Sequence, residues 1–261
     1  ALKKHKGILI LDNVASVKQI KTLIPPSSWL LIVTATKPIT LPKMVAIHLE
    51  PMEILEANTL LTRLAPEIGP AVKEISQICK GVPFSIGIIG KLFAINSTMA
   101  PDYFAKKFVE AREKLGKIDE EDKKDRLING VRASLGLSYH MLPEKIIQIL
   151  RKLSVFPETF TANAETFICE DPKNLALIGL VKFGLVQHNT KTDRFYMHDQ
   201  VKKYIKPILK SGERAMTEKR LATEYMNVLE TANYHIEKGG KEALKGFRLF
   251  DLELENIKAG M

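Results

Sequence analysis

Residues 8–34, ILILDNVASVKQIKTLIPPSSWLLIVT, decide the fold of the first part of the chain. The apolar run 8–11 is too short for a helix and is typical of a strand that is buried on both faces. A second run of this kind covers 30–33, and between the two runs residues 14–24 have apolar side chains at helical spacing, up to a Pro-Pro pair at 25–26. This order predicts a βαβ unit with a parallel sheet.

The remainder of the chain is predicted to be helical, with one short hairpin. Apolar spacing predicts helices from residue 53 onward, with a break at 81–83, Gly-Val-Pro, because proline cannot continue the hydrogen bonds of a helix. The charged segment 117–126 predicts an exposed linker. Later helices precede two strand-like segments, 185–188 and 194–197, and helices followed by a hairpin indicate a winged helix. The fold class is therefore multidomain α/β plus α.

The composition is that of a globular protein without a membrane span. The 261 residues are 45% hydrophobic and 26% charged, and no apolar run reaches the roughly 18 residues of a spanning helix. The N-terminal residues do not form a signal peptide, and Cys79 and Cys169 are isolated, so we expect buried free thiols. These features predict a cytoplasmic protein.

The net charge of +9 supports nucleic acid as a partner only weakly. Of the 39 basic residues 9 are arginine, and base reading favours the planar fork of arginine over the point charge of lysine. The lysine doublets are also dispersed along the chain, so they predict no continuous stripe that would follow a phosphate backbone.

Asp12 is the first candidate for a chemical role. It follows the apolar run 8–11, and open α/β sheets hold their ligands beyond the carboxyl ends of their strands. A carboxylate in this place can hold Mg²⁺ through the water shell of the ion, since Mg²⁺ takes few protein ligands. The alternative is that Asp12 and Asn13 only begin the loop before a helix.

Two further positions have both a functional and a structural explanation. Pro83 after Gly81 makes a rigid turn that can present an apolar ring to an adenine, or the proline only breaks a helix. His198, in the triplet Met197-His198-Asp199, can donate a proton to a phosphate oxygen. Otherwise it is an ordinary half-exposed histidine beside Asp199, which then caps a helix.

The order of these segments resembles the motif set of NB-ARC domains, also called AP-ATPases. The matching segments are 8–13, 30–34, 79–84, 137–139 and 196–199, and the resemblance covers about residues 7–210. NB-ARC domains are signal-transduction ATPases of the STAND class, found in bacterial regulators, plant resistance proteins and apoptosome scaffolds.

The resemblance implies roles for the positions near the strand ends. Asp12 corresponds to the Walker B aspartate that organises Mg²⁺, and Asn13 stands where many members carry a second, water-activating acid, which asparagine cannot replace. Thr34 to Lys37 correspond to the sensor segment, with Thr36 at the position of an arginine that contacts the γ-phosphate. Lys37 supplies charge there but not the fork of arginine, which concerns the sensing of the γ-phosphate, whereas the weak ATP turnover that we expect follows from Asn13.

The resemblance also implies how the nucleotide is held. Gly81 and Pro83 are similar to the Gly-Leu-Pro motif that borders the adenine, with Val82 in place of the leucine. His198 matches the histidine that contacts the β-phosphate of ADP and holds the winged helix against the nucleotide-binding domain. The implied cofactors are ADP or ATP together with Mg²⁺.

One motif of these domains is absent from the sequence. No Gly-x-x-x-x-Gly-Lys-[Ser/Thr] occurs, and the nearest match, 87–91, has the wrong spacing and lies in an apolar helix. This loop normally cradles the phosphates with its backbone and its lysine. We expect it to lie upstream of Ala1, the chain by itself to bind nucleotide poorly, and ATPase activity to require that loop.

The resemblance divides the chain into four parts. Residues 1–52 are expected to be the C-terminal part of a nucleotide-binding α/β domain with a partial P-loop-type parallel sheet, and 53–118 a helical domain with the Gly-x-Pro motif. Residues 126–212 are expected to be a winged-helix domain that ends in the Met-His-Asp motif. Residues 213–261 are a helical extension and a possible start of repeats, because 250–257 resemble the junction to tetratricopeptide or similar repeats in bacterial members.

The function implied is that of a nucleotide-dependent switch core that controls oligomerisation or the activation of an effector. Its partners would be nucleotide and, through the helical C-terminal region, other proteins or further copies of the chain. Two alternatives stay open: a winged-helix DNA-binding regulator, and a degenerate interaction scaffold without nucleotide function, which Asn13 and Thr36 would suit.

Overall fold

The computed structural model describes residues 5–115 and 126–261, which form two compact units, Ala1–Glu50 and Pro51–Met261. Most of the segment 117–126, predicted to be a linker, lies outside the described residues. The division of the second unit into helical, winged-helix and C-terminal parts stays a prediction.

The first unit contains the predicted strand, helix and strand. Strands β1 (Gly7–Leu11) and β2 (Trp29–Val33) pair in parallel with Ile8 opposite Leu30, and helix α1 (Val17–Ile20) lies between them in the sequence. The helix is shorter than the 14–24 expected. It begins after Ser16, whose amide donates to the Gln19 side chain at 3.2 Å, and it passes into a tight turn directly after its fourth residue.

The expectation that these strands are buried on both faces is wrong for the described residues. Side chains alternate across a strand, so every second residue of β1 and β2 points to the same face of the sheet. The face that carries Ile8, Ile10, Leu30 and Ile32 is exposed. Apolar content alone predicted the strands correctly, but burial also depends on which elements cover the sheet.

The second unit begins with a group of helices. They are α2 (Ile54–Leu64), a 3-10 helix at Pro66–Ala71, α3 (Val72–Ile78), α4 (Pro83–Ile95), α5 (Pro101–Leu115) and α6 (Arg126–Met141). Most of their buried apolar residues form a cluster, here called the helical core. Its members include Leu61, Ile75, Cys79, Ile86, Ile89, Leu92, Phe93, Phe104 and Phe108.

The remaining elements surround an antiparallel hairpin. They are α7 (Glu144–Leu153), α8 (Ala162–Cys169), α9 (Leu175–Lys182), β3 (Val186–Asn189), β4 (Arg194–Met197), α10 (Asp199–Ile205), a 3-10 helix at Lys206–Ile208, α11 (Ser211–Glu237) and α12 (Gly240–Gly260). A second cluster, here called the hairpin core, joins them. It includes Ile88, Leu150, Leu153, Phe156, Phe160, Ile168, Cys169, Leu177, Val201, Leu221, Tyr225 and Ile257.

Helix α4 belongs to both cores. Its buried residues Ile86, Ile89 and Leu92 lie in the helical core, whereas Ile88 lies in the hairpin core. A helix that is apolar around its whole circumference needs partners on all sides, and α4 obtains them from both groups of elements.

Cys79 and Cys169 are free and fully buried, as expected from the sequence. Burial raises the pKa of the Cys79 thiol to about 12 and the pKa of the Cys169 thiol well above its ordinary value, because the thiolate is poorly solvated inside a core. None of the described helices is both long and apolar enough to cross a membrane.

A buried ion pair fastens α12 to the hairpin. Arg194 of β4 donates two hydrogen bonds to the carboxylate of Glu253 on α12, of which Nη2 to Oε2 measures 2.9 Å, and both residues are buried. The guanidinium also donates to the hydroxyl of Thr159 at 2.7 Å and to its carbonyl oxygen at 2.8 Å. Asn256 donates to the same carbonyl and to Glu253. The charges are thus matched in a place that water cannot reach.

We expect Glu253→Gln to lower the free energy of unfolding by about 3 kcal/mol or more, because it leaves the buried Arg194 charge uncompensated. The matched control is Glu255→Gln on the same helix, where the exposed pair with Lys258 contributes no more than about 1 kcal/mol. Denaturant titration followed by circular dichroism reports the helices. Equal midpoints for the two variants would contradict the importance of the buried pair.

Glu165 is a fully buried carboxyl group with few hydrogen bonds to replace those it would make to water. Its Oε2 accepts a hydrogen bond from Asn174 Nδ2 at 2.6 Å, whereas its Oε1 has no hydrogen-bond partner among the described residues. Burial raises the pKa of Glu165 to about 7, and the Asn174 hydrogen bond opposes this rise. The folded protein therefore keeps this side chain mostly protonated below about pH 7.

The raised pKa predicts a pH-dependent stability. The contribution of Glu165 is fully present below the pKa that it has in the unfolded chain, and it is lost as the pH rises from about 4.5 through about 7, by up to about 3 kcal/mol. Glu165→Gln resembles the protonated acid and should remove this part of the pH dependence in denaturant titrations at pH 5 and pH 8. The exposed control Glu158→Gln should keep it, and a wild-type slope in Glu165→Gln would contradict the assignment.

Candidate functional site

The carboxyl ends of β1 and β2 bring three of the predicted site residues together. The Thr34 hydroxyl donates a short hydrogen bond to Asp12 Oδ1, and the Asn13 amide donates to the Thr34 hydroxyl oxygen at 2.8 Å. Asn13 has a φ of 54°, in the left-handed region that asparagine tolerates better than most residues. Its backbone turns the chain so that the next amide, of Val14, reaches the Thr34 carbonyl at 2.9 Å.

This strand-end group fits a single-carboxylate Mg²⁺ site. Asp12 is exposed at the end of β1, and the described residues contain no group of three or more His, Cys, Asp or Glu side chains that could hold a metal ion. Mg²⁺ keeps several waters and commonly takes one or two carboxylates together with substrate phosphates. Asp12 would hold the ion, which would neutralise phosphate charge. The side-chain amide of Asn13 cannot accept a proton from water.

Thr36 and Lys37 lie in the exposed loop that follows β2. Among the described residues, no hydrogen bond or ion pair joins either of them to Asp12. An open recess of about 320 Å³ does lie at the strand ends. It is lined by Ile10, Leu11, Asp12, Asn13, Val14, Gln19, Ile20 and Leu23. A larger recess of about 390 Å³ between α5 and α6 contains none of the predicted site residues.

The Gly81–Pro83 turn sets the start of α4. Gly81 has a φ of 68°, and its carbonyl oxygen accepts a hydrogen bond from the Met52 amide at 2.8 Å. A Cβ atom at Gly81 would lie 2.3 Å from the Met52 carbonyl oxygen, so no larger residue fits here. Pro83 occupies the first position of α4, where its missing N–H costs no helical hydrogen bond. The proline thus begins α4, whereas α3 ends at Ile78, ahead of the positive φ angles of Lys80 and Gly81.

Gly81→Ala should destabilise the second unit by about 2 kcal/mol or more, because it combines a positive φ with a steric clash against Met52. The matched control is Gly87→Ala in α4, where a Cβ would meet no atom within 4 Å and the gain in helix propensity is about 0.5–1 kcal/mol. Thermal melts followed by circular dichroism compare the two variants. A change of the same sign in both would refute this explanation of Gly81.

His198 is in contact with the protein on two sides. It is the N-cap of α10, and its Nδ1 accepts a hydrogen bond from the Gln200 amide at 3.2 Å. Its ring stacks on Phe84, with 4.2 Å between ring centroids and 27° between planes. Partial burial lowers the pKa of His198, an effect that the Asp199 carboxylate opposes. The helix cap that the structural alternative placed at Asp199 is formed by His198, and Asp199 is the first residue of the helix.

Phe84 is the residue that sequence reasoning missed. It was part of the segment 79–84, yet nothing in a single sequence pairs it with His198, which lies far along the chain. The available signal was an aromatic ring directly after Pro83, at the start of an apolar helix. Through this ring the structure brings the Gly81–Pro83 turn and His198 together.

The segment 137–139 has a structural role. Leu137 and Ser138 are buried, and the Ser138 hydroxyl donates to the Ser134 carbonyl at 2.9 Å. The Tyr139 hydroxyl accepts a hydrogen bond from Arg151 of α7 at 3.1 Å, and Arg151 also pairs with Glu213 of α11 at 3.2 Å. This motif therefore connects α6, α7 and α11.

The described fold matches that of a signal-transduction ATPase with numerous domains, the STAND class. The match is to the crystal structure of a STAND protein with a tetratricopeptide repeat sensor from Pyrococcus horikoshii. It covers 95% of this chain at a TM-score of 0.54 and 17% sequence identity. The likeness confirms the predicted fold class, α/β plus α of STAND type.

The chain spans 35% of the length of that structure, about a third. No protein-family model and no curated protein matches the chain.

Proposed function

We propose that the chain is part of the nucleotide-dependent switch of a STAND-type signal-transduction ATPase, similar to NB-ARC domains. The observation that carries this proposal is the contact between the Phe84 and His198 rings, which joins the Gly-x-Pro turn to the Met-His-Asp motif. Both motifs are far apart in the sequence and belong to the nucleotide-contacting set that the resemblance implies. The STAND-type fold supports the same assignment.

In this proposal each site residue has one task. Asp12 holds Mg²⁺, Asn13 leaves hydrolysis slow, and Thr34 orients Asp12 through its hydroxyl. Thr36 and Lys37 face the γ-phosphate. A phosphate-binding loop, which the sequence does not contain, completes the site.

The proposed nucleotide-contacting residues of the second unit are assigned the base and the phosphates of ADP. The Gly81–Pro83 turn borders the adenine, and His198 contacts the β-phosphate. His198 can favour the ADP-bound state only if it contacts ADP better there than in the open state. A hydrogen bond to a charged phosphate contributes about 1.5–3 kcal/mol, which shifts the equilibrium about ten- to a hundredfold. Release of this contact would free the chain for oligomerisation or effector activation.

The nucleic-acid alternative has less support from the surface. In helix-turn-helix modules the second helix reads the bases, and in this chain α9, which precedes the hairpin, takes that place. Apart from Lys182, its exposed residues are the apolar Leu175, 67% exposed, and Ile178, 48% exposed. Base edges require hydrogen-bond donors and acceptors, which these side chains lack. An apolar helix surface suits a protein partner better, and this observation also favours the scaffold alternative.

The test uses a longer version of the protein that contains a phosphate-binding loop ahead of this chain. We expect it to copurify with ADP, and His198→Ala to speed ADP release about tenfold or more. The matched control is His188→Ala, a histidine on β3 that stacks on Phe195. Release is measured with a fluorescent ADP analogue in stopped flow.

Three outcomes decide between the functions. An unchanged rate of ADP release in His198→Ala would reject the latch role of His198. If the longer protein binds no nucleotide, the interaction scaffold without nucleotide function is favoured. Binding of duplex DNA by the chain, with an affinity that falls steeply as salt rises, would favour the DNA-binding regulator.

A further inference from the structure

The His198 ring is restrained in two different ways. Its face lies on Phe84 at 4.2 Å, and its Nδ1 lies 3.2 Å from the Gln200 amide nitrogen. The first contact limits the tilt of the ring, and the second fixes which nitrogen points toward the backbone. Together they define both the position and the protonation pattern of the side chain.

The Gln200 contact determines the tautomer. The backbone amide is a donor, so Nδ1 must present its lone pair and cannot carry a proton. The proton of the neutral imidazole is then on Nε2. A second proton on Nδ1 would place two donors against each other, and the ring would have to leave either the Gln200 amide or the Phe84 ring.

We propose that Phe84 is a positioning residue that holds His198 as a neutral imidazole with an Nε2–H donor and couples that donor to the Gly81–Pro83 turn. This inference rests on the proposed function, because the proposed function supplies the phosphate oxygen that accepts the Nε2–H hydrogen bond. A neutral N–H donor contacts a phosphate without bringing a full positive charge. The ligand is therefore recognised through one directed hydrogen bond.

The coupling follows from the covalent chain. Phe84 comes directly after Pro83, and the turn before it is fixed by the close approach of Gly81 to Met52. A shift of this turn would move the Phe84 ring, and the His198 ring would lose its support. The turn assigned to the base and the histidine assigned to the phosphate would then respond together through Phe84.

Surrounding charges do not account for the neutral state. Asp199, the acid adjacent to His198, favours the protonated ring. Burial against α4 works in the opposite direction and prevails, in agreement with the Nδ1 hydrogen bond. The Phe84 ring, which stacks on the imidazole, is one of the groups that cover it.

The test is nitrogen NMR of the histidine rings in the 261-residue chain, which needs no nucleotide. Long-range proton–nitrogen spectra distinguish the Nε2–H from the Nδ1–H tautomer. In the wild type we expect His198 as the Nε2–H form, with ring protons shifted upfield by Phe84. In Phe84→Leu we expect mixed tautomers and a pKa of His198 that rises toward the ordinary histidine value. Phe84→Tyr keeps the ring and should restore the wild-type spectrum.

The signals of His188 serve as an internal reference, because this ring stacks on Phe195 instead. An Nδ1–H tautomer in the wild type, or an unchanged His198 spectrum in Phe84→Leu, would overturn the proposal. If Phe84→Leu does not fold, the wild type and Phe84→Tyr still test the proposal. The absence of the upfield shift of the His198 ring protons in either of them would contradict the stacking contact. A failure to bind ADP in the longer protein counts against the proposed function alone and leaves this result intact.

Discussion

The second unit depends on the burial of α4 around nearly its whole circumference. This helix contributes to the helical core on one side and to the hairpin core on the other, so its direction determines how the two cores meet. That direction is set where the helix begins, at a turn that only glycine can form because Met52 lies against it. The first residues of α4 are therefore positioned precisely, and one of them is the aromatic ring that supports His198.

Shared apolar packing and a buried ion pair attach the two C-terminal helices to the hairpin core. Leu221, Tyr225 and Ile257 of α11 and α12 lie in the same apolar cluster as the elements around the hairpin. The Arg194–Glu253 pair adds a directional contact in a place where a lost partner is costly. Strand β4, which carries Arg194, ends one residue before His198. Phe84 also packs against the hairpin core, so the Phe84–His198 contact lies beside the same apolar cluster.

Much of the fold could be predicted because its signals are local. Strand-length apolar runs, the Gly-Val-Pro break and the polar turn between β3 and β4 each depend on neighbouring residues, and the structure contains all three. The exposed face of the small sheet could not be predicted, because burial depends on distant elements. The length of α1 was also wrong, since the Ser16–Gln19 contact begins the helix late and a tight turn ends it early.

The candidate site shows the same division. The contact of Asp12 with Thr34 follows from the parallel order of two strands, whereas the sequence named the two residues separately, Asp12 from its place at a strand end and Thr34 from the family resemblance. The Phe84–His198 contact joins residues that no spacing rule connects, and its geometry arises only when both cores have formed. The structural alternative for the Met-His-Asp triplet placed the helix cap at Asp199, whereas the cap is His198, because sequence does not reveal the rotation of the imidazole.

The two buried cysteines can be used to measure local opening of the protein by their reaction with alkylating reagents. Cys79 belongs to the helical core and Cys169 to the hairpin core, so one thiol lies in each of the bodies that α4 joins. Alkylating reagents attack the thiolate, and burial suppresses both the thiolate and access to it. Each cysteine reacts only when its own core opens. The rate at which each thiol is alkylated therefore reports how often the packing around that cysteine opens.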